Sequence, residues 1–129
     1  MRASTTLAAL VLVLLVSAGC GGGDPLAQLL DHQEAILGII ERNAADPQAA
    51  AAAATAYVTA HRAELDQLGV EARALAKELA DDPRAVADLA LEQQERLRSV
   101  GERTLALRDK IALIAEPGVS EALDAVLRP

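Results

Sequence analysis

Apolar residues recur every three to four positions from residue 25 onward, and this spacing predicts amphipathic α-helices. No stretch shows the strict alternation of apolar and polar residues that is typical of a half-buried strand. The first helix is predicted from about Pro25 to Arg42. Its apolar stripe consists of Leu26, Leu29, Leu30, Ile36, Leu37, Ile39 and Ile40. The pattern therefore predicts an all-α fold.

The second and third helices are predicted to be long. The 3–4 spacing of apolar residues continues through residues 47–80, which predicts one helix with Gly69 as a soft spot, or two helices that break at that glycine. A third helix is predicted over residues 83–116, where a Glu-Pro-Gly sequence ends it. A short fourth helix is predicted over residues 119–127.

An Asp-Pro pair marks the start of each of the first three predicted helices. Aspartate side chains accept hydrogen bonds from free N–H groups at a helix start, and proline at the first helical position loses no hydrogen bond. The pairs are Asp24-Pro25, Asp46-Pro47 and Asp82-Pro83. They predict the N-termini of the three helices.

Short connections make sequential helices antiparallel neighbours. The predicted architecture is therefore an elongated antiparallel three-helix bundle with a short C-terminal fourth helix. The first helix covers only part of the hairpin formed by the two long helices. We expect the last helix or a partner to close the uncovered end of that hairpin, near Leu75, Leu79, Val86 and Leu89.

The N-terminal segment has the order of an export signal. Arg2 supplies a positive charge, an apolar run extends from Leu7 to Val16, and small residues lead to Ala18-Gly19-Cys20. This segment resembles the signal of bacterial lipoproteins. The resemblance implies that a signal peptidase cuts before Cys20, that acyl chains modify this cysteine, and that a cleaved signal peptide precedes the bundle.

The resulting organisation is a signal peptide over residues 1–19, a lipidated cysteine and glycine tether over 20–24, and a helical bundle domain over 25–129. Val16-Ser17-Ala18 also fits ordinary signal peptidase, and a cut after Ala18 would give a secreted protein instead. The stretch from Ile40 to Pro47, with its Asn-x-x-Asp turn, followed by Tyr57-Val58 and residues 61–65, resembles small all-helical bacterial lipoproteins and secreted proteins of unassigned function.

Composition narrows the range of functions. The formal net charge of −7 argues against a nucleic-acid partner, because basic patches supply most of that affinity. A single cysteine rules out an intramolecular disulfide. The chain has no Trp or Phe and one tyrosine, Tyr57, which is expected to be half-buried with its hydroxyl at the surface. The core must therefore consist of aliphatic residues and alanine.

His32 and His61 are the only histidines, and they are the candidate ligand-binding residues. If the first two helices form a hairpin that turns near Ala45, both imidazoles lie at a similar height on facing helices. They could bind haem axially, or share a metal ion with Glu34 or Glu64. The alternative interpretation is that both are ordinary polar residues that flank the core.

No arrangement of residues indicates catalysis, so an enzyme is not expected. Carboxylates fall on helix ends and polar faces, and Glu92 with Arg96 is expected to form an i,i+4 ion pair.

The sequence favours a lipid-anchored structural or protein-interaction module of the bacterial cell envelope. Its expected partners are the membrane, through acyl chains on Cys20, and another protein or a second copy. This hypothesis needs no cofactor and no metal. The alternative is a small haem- or metal-binding module that uses His32 and His61.

Overall fold

A computed structural model describes residues 24–128, and this part of the chain contains seven helices and no strand. The predicted all-α class is confirmed. The helices are α1 (Pro25–Arg42), α2 (Pro47–Ala60), α3 (Arg62–Leu79), α4 (Pro83–Glu92), α5 (Gln94–Arg108), α6 (Ile111–Ile114) and α7 (Pro117–Leu127). The predicted signal peptide, Cys20 and the glycine tether to residue 23 lie outside the described residues. Within the described part, no helix combines the length and apolarity needed to cross a membrane.

The predicted helix starts are confirmed at all three Asp-Pro pairs. The Asp24 carboxylate accepts a hydrogen bond from the Leu26 amide at 3.1 Å. Asp46 accepts two, from the amides of the second and third residues of α2, and Asp82 accepts one at 3.1 Å from the Ala85 amide. Each carboxylate thus satisfies N–H groups that a helix start leaves without an intrahelical partner.

The predicted long helices are interrupted at polar residues. The single helix predicted over residues 47–80 is wrong, because His61 separates α2 from α3 with φ −109° and ψ 13°. Gln93 separates α4 from α5 with φ −104° and ψ 9°, and a second break follows Arg108. Gly69 lies inside α3, so the alternative break at that glycine is wrong as well. His61 and Gln93 are both polar residues in otherwise apolar stripes.

The interruption at His61 is local. The His61 amide donates to the Tyr57 carbonyl at 3.1 Å, and the Leu65 amide donates to the His61 carbonyl at 2.9 Å. Hydrogen bonds of helical spacing therefore continue on both sides of the break, so α3 follows α2 with a distortion at one residue.

The core forms where α1, α2 and α7 meet. Its largest fully buried side chains are Leu30, Ile36, Leu37, Ile40, Leu68, Leu107, Leu113, Val119 and Val126. The alanine-rich face of α2 lets α7 approach closely, since a Cβ atom at Gly118 would lie 2.8 Å from the Cβ of Ala51. The last helix therefore packs on α2 and α1. Of the two expected closures of the far end of the hairpin, the one by the last helix is wrong, and the one by a partner stays a prediction.

The far end of the hairpin formed by α3 and α4 is sparsely packed. No residue of α4 is buried, and the buried residues of α3 are Leu65, Leu68 and Gly69 in its first half. An open apolar groove lies between this end and the start of α1. The groove is lined by Leu26, Leu29, Ala72, Leu75, Ala76, Leu79 and Leu89. We call residues 70–92 the arm.

Ion pairs hold α5 against α1. The Arg96 guanidinium donates to Glu34, with Nε to Oε1 at 2.8 Å, and to Asp31, with Nη2 to Oδ1 at 2.5 Å. Nη2 of Arg103 lies 2.6 Å from Oε1 of Glu41. The predicted pair of Arg96 with Glu92 is wrong, because the Arg96 side chain extends to α1 instead of along its own helix.

Candidate metal centre

One cluster of polar side chains lies where α1 meets the break between α2 and α3. His32, in the first half of α1, is buried, with 6% of its surface exposed. Tyr57 lies in the last turn of α2, His61 is the break residue itself, and Glu64 lies in the first turn of α3. The ring centroids of His32 and His61 are 5.1 Å apart, and those of Tyr57 and His61 are 4.3 Å apart.

The Glu64 carboxylate bridges the two imidazoles. Its Oε1 lies 3.2 Å from His32 Nε2, and its Oε2 lies 3.2 Å from His61 Nδ1. The other nitrogen of His32, Nδ1, lies 2.6 Å from the Tyr57 hydroxyl. Both nitrogens of the buried imidazole therefore have a partner, which satisfies the requirement that a buried polar group be hydrogen-bonded.

Charge and burial shift two pKa values in the cluster. Burial alone would raise the pKa of Glu64. Hydrogen bonds from His61 and His32 and the charges of these groups have a larger combined effect, and they lower the pKa below its ordinary value of 4.5. Burial, the charge of Glu64 and the charge of Asp31 raise the pKa of Tyr57 above the ordinary 10.0. Near neutral pH, Glu64 is therefore an anion and Tyr57 a neutral phenol.

The spacing of the donor atoms suits a small cation. One ligand atom from each of His32, His61 and Glu64 lies within 4.8 Å of the other two. In a tetrahedral site with metal–ligand bonds of about 2.0–2.1 Å, neighbouring ligand atoms are about 3.3 Å apart. The two nitrogen–oxygen distances of 3.2 Å, one to each oxygen of the Glu64 carboxylate, are close to that value, and small side-chain movements would bring the three ligand atoms to it.

Tyr57 lies where a residue that hydrogen-bonds to a metal-binding histidine, and so orients its ring, usually lies. When a histidine binds a metal through one nitrogen, its other N–H usually donates to a carboxylate, carbonyl or water that fixes the ring. The Tyr57 oxygen can accept from His32 Nδ1–H, which leaves the Nε2 lone pair free on the side of Glu64 and His61. The tautomer of His32 with its proton on Nδ1 is therefore the one that suits metal binding through Nε2.

The structure brings together both histidines that the sequence singled out. Of the two carboxylates proposed as co-ligands, Glu64 joins them, whereas Glu34 pairs with Arg96 on the α5 side of α1. Sequence reasoning missed the role of Tyr57, whose hydroxyl bonds to His32 instead of lying free at the surface. Its spacing of four residues from His61 is the signal that places both rings on one helix face. Cys20 lies outside the described residues.

The comparisons with known proteins give no further guide to this cluster. No family model, no curated protein and no solved structure matches the chain.

Proposed function

We propose that this protein binds one divalent transition-metal ion through His32, His61 and Glu64. The observation that carries the proposal is the Glu64 carboxylate that bridges both imidazoles at 3.2 Å. Two imidazole nitrogens and a carboxylate oxygen are donors that suit zinc and its first-row neighbours, and they are ligands of known catalytic zinc sites. The cluster therefore favours the metal-binding alternative over a purely structural module.

A small ion fits the cluster better than haem. Axial haem ligation would require the porphyrin plane to lie between the two imidazoles. That space contains the Glu64 carboxylate, which contacts both rings, and the ring centroids are 5.1 Å apart. A metal ion could instead replace the shared hydrogen bonds of Glu64 with small movements of three side chains.

Metal titration of the purified full chain tests this proposal. Tyr57 is the only tyrosine and the chain has no Trp, so its fluorescence reports on the site without background. We expect one equivalent of Zn²⁺ to bind and to change the Tyr57 emission. Glu64→Gln should weaken binding strongly, whereas Glu92→Gln, which changes an exposed carboxylate of α4, should not.

Circular dichroism of both variants controls for folding. Equal zinc affinity of wild type, Glu64→Gln and His32→Gln would refute the assignment of these ligands.

The proposed location is the bacterial cell envelope, where acyl chains on Cys20 hold the domain at the membrane and Gly21 to Gly23 act as a tether. The signal sequence supports this proposal, and the secreted form is the alternative. Metabolic lipid labelling of the full-length protein tests it beside Cys20→Ala. Label in the wild type alone supports the anchor, and an unlabelled wild type that begins at Gly19 supports secretion.

A second candidate function is self-association through the arm. In this proposal the helices form an elongated antiparallel three-helix bundle, with α1, α2–α3 and α4–α5 as its three rods. The supporting observation is the apolar groove next to side chains that expose much of their area, Val70 at 55%, Val86 at 44% and Leu91 at 68%.

The oligomeric state of the protein tests this second candidate. A concentration-dependent dimer in sedimentation should dissociate in Leu75→Glu, because Leu75 lines the groove. Ala74→Glu is the matched control, since Ala74 is exposed and outside the groove. A wild type that is monomeric at all concentrations would refute self-association.

A further inference from the structure

Residues 24–128 supply three of the ligands that a metal ion needs in this cluster. The group that could hold an ion within this part of the chain consists of His32, His61 and Glu64. A tetrahedral zinc ion has four ligands, and sites with only three protein ligands keep the fourth position for water or another molecule. The number of donors therefore leaves a coordination position to be filled.

Tyr57 does not fill that position in this geometry. Its hydroxyl lies 2.6 Å from His32 Nδ1, whereas the nitrogen that faces Glu64 is Nε2. The two nitrogens point away from each other across the imidazole ring. Tyr57 therefore stands behind His32 as seen from the ion, where it supports the ligand instead of coordinating.

The cluster is open to solvent on one side. The exposed fraction of the side chain is 8% for His32 but 38% for His61 and 44% for Glu64. An ion held among them would be covered by α1 on the His32 side and accessible beside His61 and Glu64. The unfilled position therefore faces solvent, where a second molecule can reach it.

We infer that the bound ion accepts an exogenous monodentate ligand at this solvent-facing position, and that a small anion is the preferred class. This inference rests on the proposed metal binding. A divalent cation with one carboxylate and two neutral imidazoles carries a net charge of +1 in the site. An anionic donor such as a carboxylate or an inorganic anion neutralises that charge, whereas a neutral donor does not.

Cobalt(II) provides the test because its visible absorption depends on its coordination. The full chain is loaded with one equivalent of Co²⁺ and titrated with sodium azide, with sodium perchlorate, whose anion coordinates metal ions very weakly, at equal ionic strength as the control. We expect a saturable change in the visible spectrum while cobalt stays bound to the protein. Tyr57→Phe, given enough Co²⁺ to saturate its weaker site, should also show a saturable azide response, because the phenol is not a ligand in this assignment.

Three other outcomes would overturn the inference in distinguishable ways. If cobalt binds with one-to-one stoichiometry but its spectrum does not change with azide, groups of the chain itself occupy all coordination positions of the ion. An azide response that appears only in Tyr57→Phe would identify the phenol as the fourth ligand. If cobalt does not bind, the proposed function fails and this inference fails with it.

Discussion

Tyr57 reports directly on the charge of the cluster, because the chain contains no other Tyr, Phe or Trp. Burial, Glu64 and Asp31 raise the pKa of its phenol above 10.0, so ionisation is delayed to higher pH. Glu64→Gln removes one of the two negative charges. We expect this variant to ionise Tyr57 at lower pH than the wild type, and at a pH still above 10.0 because the burial remains. Absorbance of the phenolate during an alkaline titration measures the difference.

Glu71→Gln is the matched control for that titration, since Glu71 bonds to Gln67 on the same helix and not to the cluster. Its Tyr57 titration curve should overlay that of the wild type. Identical curves for Glu64→Gln and the wild type would mean that the carboxylate does not act on the phenol.

The hydrogen bond between Tyr57 and His32 predicts a second effect at the same residue. Loss of an outer partner of a metal-bound histidine typically lowers metal affinity by about 10–100-fold. Tyr57→Phe keeps the ring contacts with His61 and removes only the hydroxyl, so we expect a loss of zinc affinity in that range with unchanged helicity. Calorimetric titration measures the affinity. Thr59→Val, a change of an exposed hydroxyl on α2, should leave it unaltered, and unchanged affinity in Tyr57→Phe would contradict the role of the phenol.

Elementary helix geometry explains how much of this site could be predicted from sequence. The hairpin places His32 and His61 opposite each other, which needs only the position of the turn. Glu64 follows His61 by three residues and shares its helix face. Glu34 follows His32 by two residues, about 200° around the helix at 100° per residue, so it faces away. The bond to Tyr57 was not predictable, because it depends on how α1 and α2 rotate against each other.

The close contact between α2 and α7 depends on Gly118, which has no side chain. Gly118 is the second residue of α7, and a Cβ atom there would meet the Cβ of Ala51 at 2.8 Å. Gly118→Ala must push the helices apart, and overpacking of this kind costs about 1–3 kcal/mol of unfolding free energy. Gly101→Ala is the matched control, because nothing lies within 4 Å of its added Cβ. It should instead stabilise α5 by about 0.5–1 kcal/mol.

Urea denaturation of both glycine variants measures these opposite changes. A rise in the unfolding free energy of Gly118→Ala would show that α7 does not pack on α2 as closely as described.

Arg96 links α5 to α1 through two carboxylates, Glu34 and Asp31. All three groups are partly exposed, and exposed ion pairs contribute about 0.2–1 kcal/mol each. Arg96→Met should therefore lower the unfolding free energy by about 1 kcal/mol, and less at high salt. Arg98→Met removes only a pair with Glu95 within α5, so it should cost clearly less. Equal costs for both variants, measured by urea denaturation, would argue against the link between the helices.

At the scale of elements, helix starts were predictable and helix interruptions were not. A start needs only a capping aspartate and the proline after it, both local in sequence. The 3–4 spacing of apolar residues continues across His61, so it does not signal the break at that residue. The position of α7 was likewise not predictable, because its apolar face could cover either the alanine-rich part of α2 or the arm.

Metal binding should protect some helices of the molecule from local unfolding more than others. The proposed ligands lie on α1, at the break and on α3, next to the core, whereas the arm has no residue in the site and little burial of its own. A ligand that binds only the folded state stabilises it by about 2.7 kcal/mol at 100 times its dissociation constant. We therefore expect zinc to raise the unfolding free energy by that amount and to slow amide hydrogen exchange mainly in α1 and around residues 57–65. Exchange in α4 should stay the same, since its opening does not require the site to open. Uniform slowing along the chain would mean that the arm unfolds together with the core, and equal slowing in Glu64→Gln would mean that zinc binds elsewhere.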